Sequence, residues 1–151
     1  MTKDVISFKP DDSLISVANK FIEKHISAGP VVDAENRVVG VISESDLMKI
    51  LEYHKDLGAE LLSLIPLFGN QWSFQRDLGE FNKWALRVEE GKVKDEMSKD
   101  VFTVHFEDVV AKAVEIMVYK KVNHIPVVDD ENKLVGIVAR ADVVRAMSKE
   151  A

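Results

Sequence analysis

The apolar positions along this chain change period in a fixed order, and the order occurs twice. Val5, Ile6 and Phe8 make a short apolar run that predicts a strand over Val5 to Phe8. Leu14, Val17, Ala18, Phe21 and Ile22 follow at the 3, 1, 3, 1 spacing of one buried helical face, with Asp11, Asp12 and Ser13 ahead of them as candidate N-caps. Pro30 to Val32 and Arg37 to Ile42 flank the polar segment DAEN and predict a hairpin. A helix from Ser45, carrying Leu47, Ile50 and Leu51, closes the unit. The predicted order is strand, helix, strand, strand, helix.

Residues 1 to 51 lie on residues 97 to 147 without a gap, an offset of 96 that places position 1 on position 97. The recurring residues include Lys3, Asp4, Val5, Asp12, Pro30, Val31, Val32, Asp33, Asn36, Val39, Gly40 and Asp46. The helix of the copy keeps the phase with Val110, Ala113, Val114, Met117 and Val118. A single unit of about 50 residues buries too little apolar surface to offset its chain entropy. The two units are therefore expected to pack face to face as one α/β (α+β) module. Such packing creates a cleft on a pseudo-twofold axis, lined by matching parts of both copies, so two related sites are expected.

Three spans result: a first repeat at 1–51, a helical insertion at 52–92 and a second repeat at 93–151. The closing helix of the first repeat is expected to reach about Leu57, ahead of Gly58. In the insertion Leu61, Leu62, Leu64, Ile65, Leu67 and Phe68 crowd around Pro66. Phe74, Leu78, Phe81, Ala85 and Val88 then predict an amphipathic helix ended by Gly91. That face must be covered, either by its own module or by a subunit or partner.

Composition narrows the classes. The chain has 151 residues, 46% of them hydrophobic, enough for a real core. It has no cysteine, which removes disulfides, thiolate metal sites and cysteine nucleophiles together. A net charge of -6 opposes broad binding to nucleic acid or anionic membrane. No apolar run approaches a membrane span, and MTKDVISF lacks a signal-peptide core, so a soluble cytoplasmic protein is the expectation.

Candidate chemistry concentrates in Val39 to Asp46, VGVISESD, where a strand delivers Ser43, Ser45 and Asp46 onto the start of a helix. The first four backbone N–H groups of a helix lack internal partners and favour anions, phosphate above all. Ser43 and Asp46 equally have the spacing of a capping box, so a purely structural role stands beside the phosphate role. His25, His54 and His105 have no companion acid or histidine at a ligand spacing, and no metal site is expected. No paired nucleophile and base is recognisable, and no catalytic residue is expected.

These residues resemble tandem CBS domains, the modules named after cystathionine β-synthase, paired as a Bateman module. The resemblance rests on MTKDV, KVKDEMSKDV, GPVVD, IPVVD, VVGVIS, LVGIVA, Asp46 and Asp142, and covers 1–51 and 93–147. It implies a regulatory protein that binds an adenosine compound, AMP, ADP, ATP or S-adenosylmethionine, as a signal and not as a catalytic cofactor. Gly40, Val41, Ser43, Ser45 and Asp46 match the family's site pattern, in which the aspartate holds ribose hydroxyls and the hydroxyl residues and helix start hold phosphate. The second copy, GIVARAD, has Ala139 and Ala141 where both hydroxyls belong, and with Ala139 at the cap Asp142 has no reciprocal box to complete. Asp142 then serves either ribose or the helix dipole, and Arg140 either a ligand or solvent. Family sites also draw on the residues before each proline, here Ser27, Ala28, Asn123 and His124, and on the openings of the repeats, Lys3 to Val5 and Lys99 to Val101. The resemblance further implies a homodimer and signalling by reorientation of the repeats. The alternatives are an interaction scaffold with a vestigial site and, more remotely, a nucleotide-hydrolysing enzyme.

Overall fold

Ser13 adopts extended backbone and accepts the Ser16 N–H on Oγ at 3.2 Å, which starts helix α1, Leu14–Lys24. The helix stops at His25, whose left-handed φ of 53° lets its N–H turn back to the Ile22 carbonyl. The computed structural model describes residues 3–52, 90–108 and 110–149. The expected helix of Phe74 to Val88 and the extension to Leu57 lie outside these residues.

Strands β1, Ala28–Val32, and β2, Val38–Ser43, pair antiparallel as the hairpin the sequence predicts. Asp33 builds its turn, because Oδ1 accepts the N–H groups of Glu35 and Arg37, each at 2.9 Å. Asn36 takes the one left-handed position, φ 64°. Helix α2, Glu44–Glu52, follows β2 without a loop, one residue earlier than expected. The second repeat runs through α3 (Val93–Glu96), β3 (Val104–His105), α4 (Val110–Lys120), β4 (His124–Val128), β5 (Leu134–Ala139) and α5 (Arg140–Lys149). It repeats the Asp turn at Asp129 and the left-handed asparagine at Asn132. Even the register shift recurs, between Val31 and Val32 and between Val127 and Val128.

Two expectations are corrected. The strand expected over Val5 to Phe8 contracts to one parallel bridge, Phe8 with Val31. Phe8 donates to the Pro30 carbonyl and accepts from Val32 N–H, both at 2.9 Å, and Pro10 then turns the chain before a longer ladder forms. Ile22, Val110 and Val118, expected on the buried helical faces, are exposed, Val110 as the first residue of its helix. Once Phe21 and Met117 point into the cores, the next residue lies about 100° further round the helix and leaves the apolar stripe.

Phe8, Val17, Phe21, Val31 and Ile42 form the first core, joined by Val93 of α3. Val104, Ala113, Met117, Ile125 and Val127 form the second. A third cluster, Val32, Val38 and Val128, lies where the hairpins meet. There Val38 N–H bonds to the Asn132 carbonyl at 3.2 Å and Leu134 N–H to the Asn36 carbonyl at 3.0 Å. These reciprocal bonds at matched positions mark the pseudo-twofold axis.

Candidate functional site

The junction of β2 and α2 is held by its own side chains. Asp46 Oδ2 accepts the Ser43 N–H at 2.8 Å and the Ser43 hydroxyl at 2.9 Å, while the Asp46 N–H points back to Ser43 Oγ at 3.4 Å. This is the capping box. Asp46 is only 4% exposed, the one buried charged residue among those described. Its other oxygen, Oδ1, faces Lys49 Nζ at 3.4 Å, and Ser45 Oγ lies 2.8 Å from Ser43 Oγ.

Gly40 explains how the second repeat reaches this junction. A Cβ there would sit 2.6 Å from Met97 Sδ and 3.1 Å from the Ser98 carbonyl oxygen. Without one, the segment ahead of β3 crosses β2 closely, and Val41 exchanges backbone hydrogen bonds with Ser98 at 3.1 and 2.9 Å. The chain from Ser98 to Phe102 is thereby laid over the start of α2. Between them opens a cavity of about 420 Å³.

One wall of this first cavity carries Ser27, Ala28, Val41, Ser43, Ser45 and Asp46, and the opposite wall carries Val101, Asn123 and His124, all expected from sequence. Gly40 is buried beneath Met97 and forms no part of the wall. Lys99 is exposed and stands outside it, although its neighbours Ser98 and Asp100 line the cavity. Sequence reasoning missed Lys49, Ser98, Phe102, Lys121 and Val122. Lys49 was legible as the residue one helical turn beyond Asp46. Lys121 was not, because its position depends on a left-handed cap at φ 55° after α4.

The pseudo-twofold axis generates a second cavity of about 330 Å³. Ala139, Ala141, Asp142 and Arg145 stand where the first has Ser43, Ser45, Asp46 and Lys49, and Asp4, Val5 and His25 stand where it has Asp100, Val101 and Lys121. Asp142 makes half a box and no reciprocal one: Oδ2 accepts the Ala139 backbone N–H at 2.9 Å, a donor any residue supplies. Arg145 reaches Oδ1 at 3.3 Å. Arg140 lines neither cavity and reaches Asn123 Oδ1 at 3.4 Å.

Ser27, Ala28 and His124 belong to the walls of both cavities. Ser27 Oγ and His124 Nε2 are 3.5 Å apart across the axis. Burial holds the His124 imidazole below the ordinary histidine pKa of 6.5, partly opposed by the charge of Asp142, so the ring is neutral at neutral pH. Among the described residues no group of three or more His, Asp or Glu is arranged to hold a metal ion, and no helix is long and apolar enough to cross a membrane.

The CBS domain family model matches residues 1–53 and 93–149. The chain is 32% identical over 148 residues to the uncharacterized protein MJ1426 of Methanocaldococcus jannaschii, covering 97% of this chain and 88% of that one. Other relatives are longer, and the chain spans 37%, 22% and 61% of three of them. CBSX2 of Arabidopsis thaliana, solved in complex with AMP, matches with a TM-score of 0.70 at 25% identity over 99% of this chain and 93% of that one. The CBS domain pair of protein MJ0100, in complex with 5′-methylthioadenosine and S-adenosyl-L-methionine, matches in fold with a TM-score of 0.70 at 22% identity, covering 100% and 94%. With both repeats matched and folded as one pair about a pseudo-twofold axis, the chain belongs to the CBS-domain family as a tandem CBS pair.

Proposed function

We propose that this chain is a non-catalytic sensor of an adenosine nucleotide, bound in the first cavity, with AMP, ADP, ATP and S-adenosylmethionine as the candidate ligands. The observation that carries the reading is the composition of that cavity's two walls: Ser43, Ser45, Asp46 and Lys49 from one repeat against Lys121 and His124 from the other. Hydroxyls at a helix start and two lysines suit phosphate. Asp46 Oδ1 suits a ribose hydroxyl, because Oδ2 is occupied by Ser43. The AMP held by CBSX2 supports the same ligand class. Because the cavity draws on both repeats, a ligand that binds one relative orientation better shifts the population toward it, and a regulated partner reads the shift. We take 1–51 and 93–151 as the sensing repeats and 52–92 as the insertion.

A thermal-shift panel of adenosine compounds tests the reading. A bound nucleotide at about 100 times its dissociation constant should add about 2.7 kcal/mol. The scaffold alternative is favoured by one observation, that Ser43 and Asp46 satisfy each other as a cap. It predicts no nucleotide-dependent shift. Ile22 and Val118, and Met48 and Val144, are exposed apolar pairs at matched positions, which suits a homodimer built on these helices. Light scattering should then give twice the chain mass.

A further inference from the structure

Val93 belongs to the second repeat by sequence and to the first by packing. It is fully buried in one cluster with Phe8, Val17, Phe21, Val31 and Ile42. Its N–H bonds to the Asp12 carbonyl and Lys94 N–H to the Pro10 carbonyl, each at 2.9 Å, and the Gly91 carbonyl accepts from Leu14 N–H at 3.1 Å. On the rim, Lys94 Nζ and Lys92 Nζ lie 3.1 and 3.7 Å from Asp11 Oδ1. The chain leaving the 52–92 span is thereby anchored on the first repeat.

One helical turn carries this anchor to the first cavity. Lys92 N–H donates to Asp95 Oδ2 at 3.3 Å and Met97 N–H returns to the Val93 carbonyl at 2.8 Å, so Val93 and Met97 move as one piece. Met97 packs against the same cluster and fills the space beside Gly40. The next residue, Ser98, exchanges backbone bonds with Val41, and both line the cavity. Asp100, Val101 and Phe102 continue the wall, with Val101 packed on the axis cluster and Lys120 Nζ over the Phe102 ring at 5.3 Å from its centroid. This wall is hung between the repeats, one end on the first and the other on the second.

We propose, resting on the nucleotide reading of that cavity, that Val93 and Met97 are positioning residues on a strap over residues 91–98 whose seating in the first core sets nucleotide affinity. Seated, the strap holds Ser98, Asp100, Val101 and Phe102 opposite Ser43, Ser45 and Asp46. Lifted, it withdraws one of the wall's two supports, so the nucleotide binds the seated state better. The 52–92 span runs into the strap at Gly91, and a partner that engages this span and shifts Val93 changes nucleotide affinity. By linkage the nucleotide changes the affinity for that partner by the same factor.

The test uses the full chain, with AMP, ADP, ATP and S-adenosylmethionine titrated by calorimetry and the tightest of them carried into hydrogen-exchange mass spectrometry. Val93→Thr keeps the side-chain shape but sets a hydroxyl in the apolar cluster, which favours lifting. Val17→Thr makes the same change in the same cluster, on α1 and outside the cavity walls. Val93→Thr should weaken the nucleotide about fivefold or more, and Val17→Thr should leave it within about twofold. In the unaltered chain, saturating nucleotide should slow exchange across 91–98 by a factor comparable to the Val93→Thr loss and across 14–24 by less, a readout that needs no variant to fold. Equal losses in the two variants would make Val93 a core residue and nothing more, and equal slowing of the two segments would be global stabilisation; either result overturns the strap alone. Binding of none of the four compounds to the unaltered chain overturns the nucleotide reading, and the strap with it.

Discussion

In the first repeat Phe8 lies edge-on to Phe21 at 5.7 Å, and its ring takes the space beside Gly29; in the second, Val104, Met117 and Ile125 stand at those three places. A Cβ on Gly29 would come within 2.5 Å of Phe8 Cε2. The second repeat avoids that conflict by reducing the phenylalanine to valine, and Ile125, fully buried, occupies the space released. The side-chain bulk is thus divided differently over the pair of positions, concentrated at Phe8 in one repeat and shared by Val104 and Ile125 in the other, as close-packed interiors require. The site walls differ in another way. Cores must fill the same backbone, whereas Ser43 and Ser45 can become Ala139 and Ala141 and still keep half of the cap, because the Ala139 N–H still reaches Asp142.

The largest effect expected follows from the core. Phe8→Val alone should cost about 2 to 4 kcal/mol by leaving a cavity. Gly29→Ile alone should cost about 3 kcal/mol or more by overpacking against the ring. Combining Phe8→Val with Gly29→Ile, which imports the second repeat's solution, should lose less than the sum of the single changes, with a coupling of about 0.5 to 3 kcal/mol. Urea unfolding of the double-mutant cycle measures this. Strict additivity would mean that the two cores reach their packing independently of this pair.

Next in size is the contrast between the aspartates. Asp46→Ala removes a carboxylate from the cavity that has serines and two lysines, and AMP affinity measured by calorimetry should fall by more than about tenfold. Asp142→Ala should leave AMP affinity within about threefold, since the second cavity lacks the hydroxyls. Both variants should remain folded, with about 1 to 2 kcal/mol lost at each helix start. Equal losses of AMP affinity would erase the distinction between the cavities.

A smaller step separates phosphate from nucleoside. Ser43→Ala with Ser45→Ala copies the second cavity's wall into the first. Binding of AMP should weaken about tenfold, on the scale of one hydrogen bond to a charged group, and adenosine should be affected less. Equal losses for AMP and adenosine would assign both serines to the cap alone.

The repeat, the hairpins and the helix starts were legible because each has a local signature: the DAEN turn, the proline before each valine pair, and the Ser to Asp spacing. Asp46 was legible as a cap, and the geometry places it in the cavity wall with one oxygen occupied and a second beside Lys49. What sequence could not supply depends on chains crossing. Gly40 matched the site pattern, yet its place is beneath Met97, because glycine is what lets the segment from Ser98 to Phe102 approach β2. Lys99 matched by position in the repeat, but the chain presents its neighbours to the cavity instead. Val93 lies in the span assigned to the second repeat and packs in the core of the first, a long-range contact that no local period encodes.

The smallest effect expected concerns the titratable group among those both cavities share. His124 lies on the two walls, and burial holds its pKa below 6.5, with Asp142 opposing in part. A base whose folded pKa is depressed contributes stability that is complete above the unfolded pKa and is lost as pH falls toward the folded one, because the unfolded chain takes up the proton first. The melting temperature of the ligand-free chain should therefore hold level above about pH 6.5 and decline below it by an amount that His124→Gln removes. An identical decline in that variant would place its cause elsewhere. Ligand then separates the cavities. A phosphate in the first favours the imidazolium, so AMP should flatten the decline and adenosine should leave it in place. If adenosine flattens it equally, His124 answers to the base or ribose and not to phosphate, and the division of the two cavities by charge loses its support on that wall.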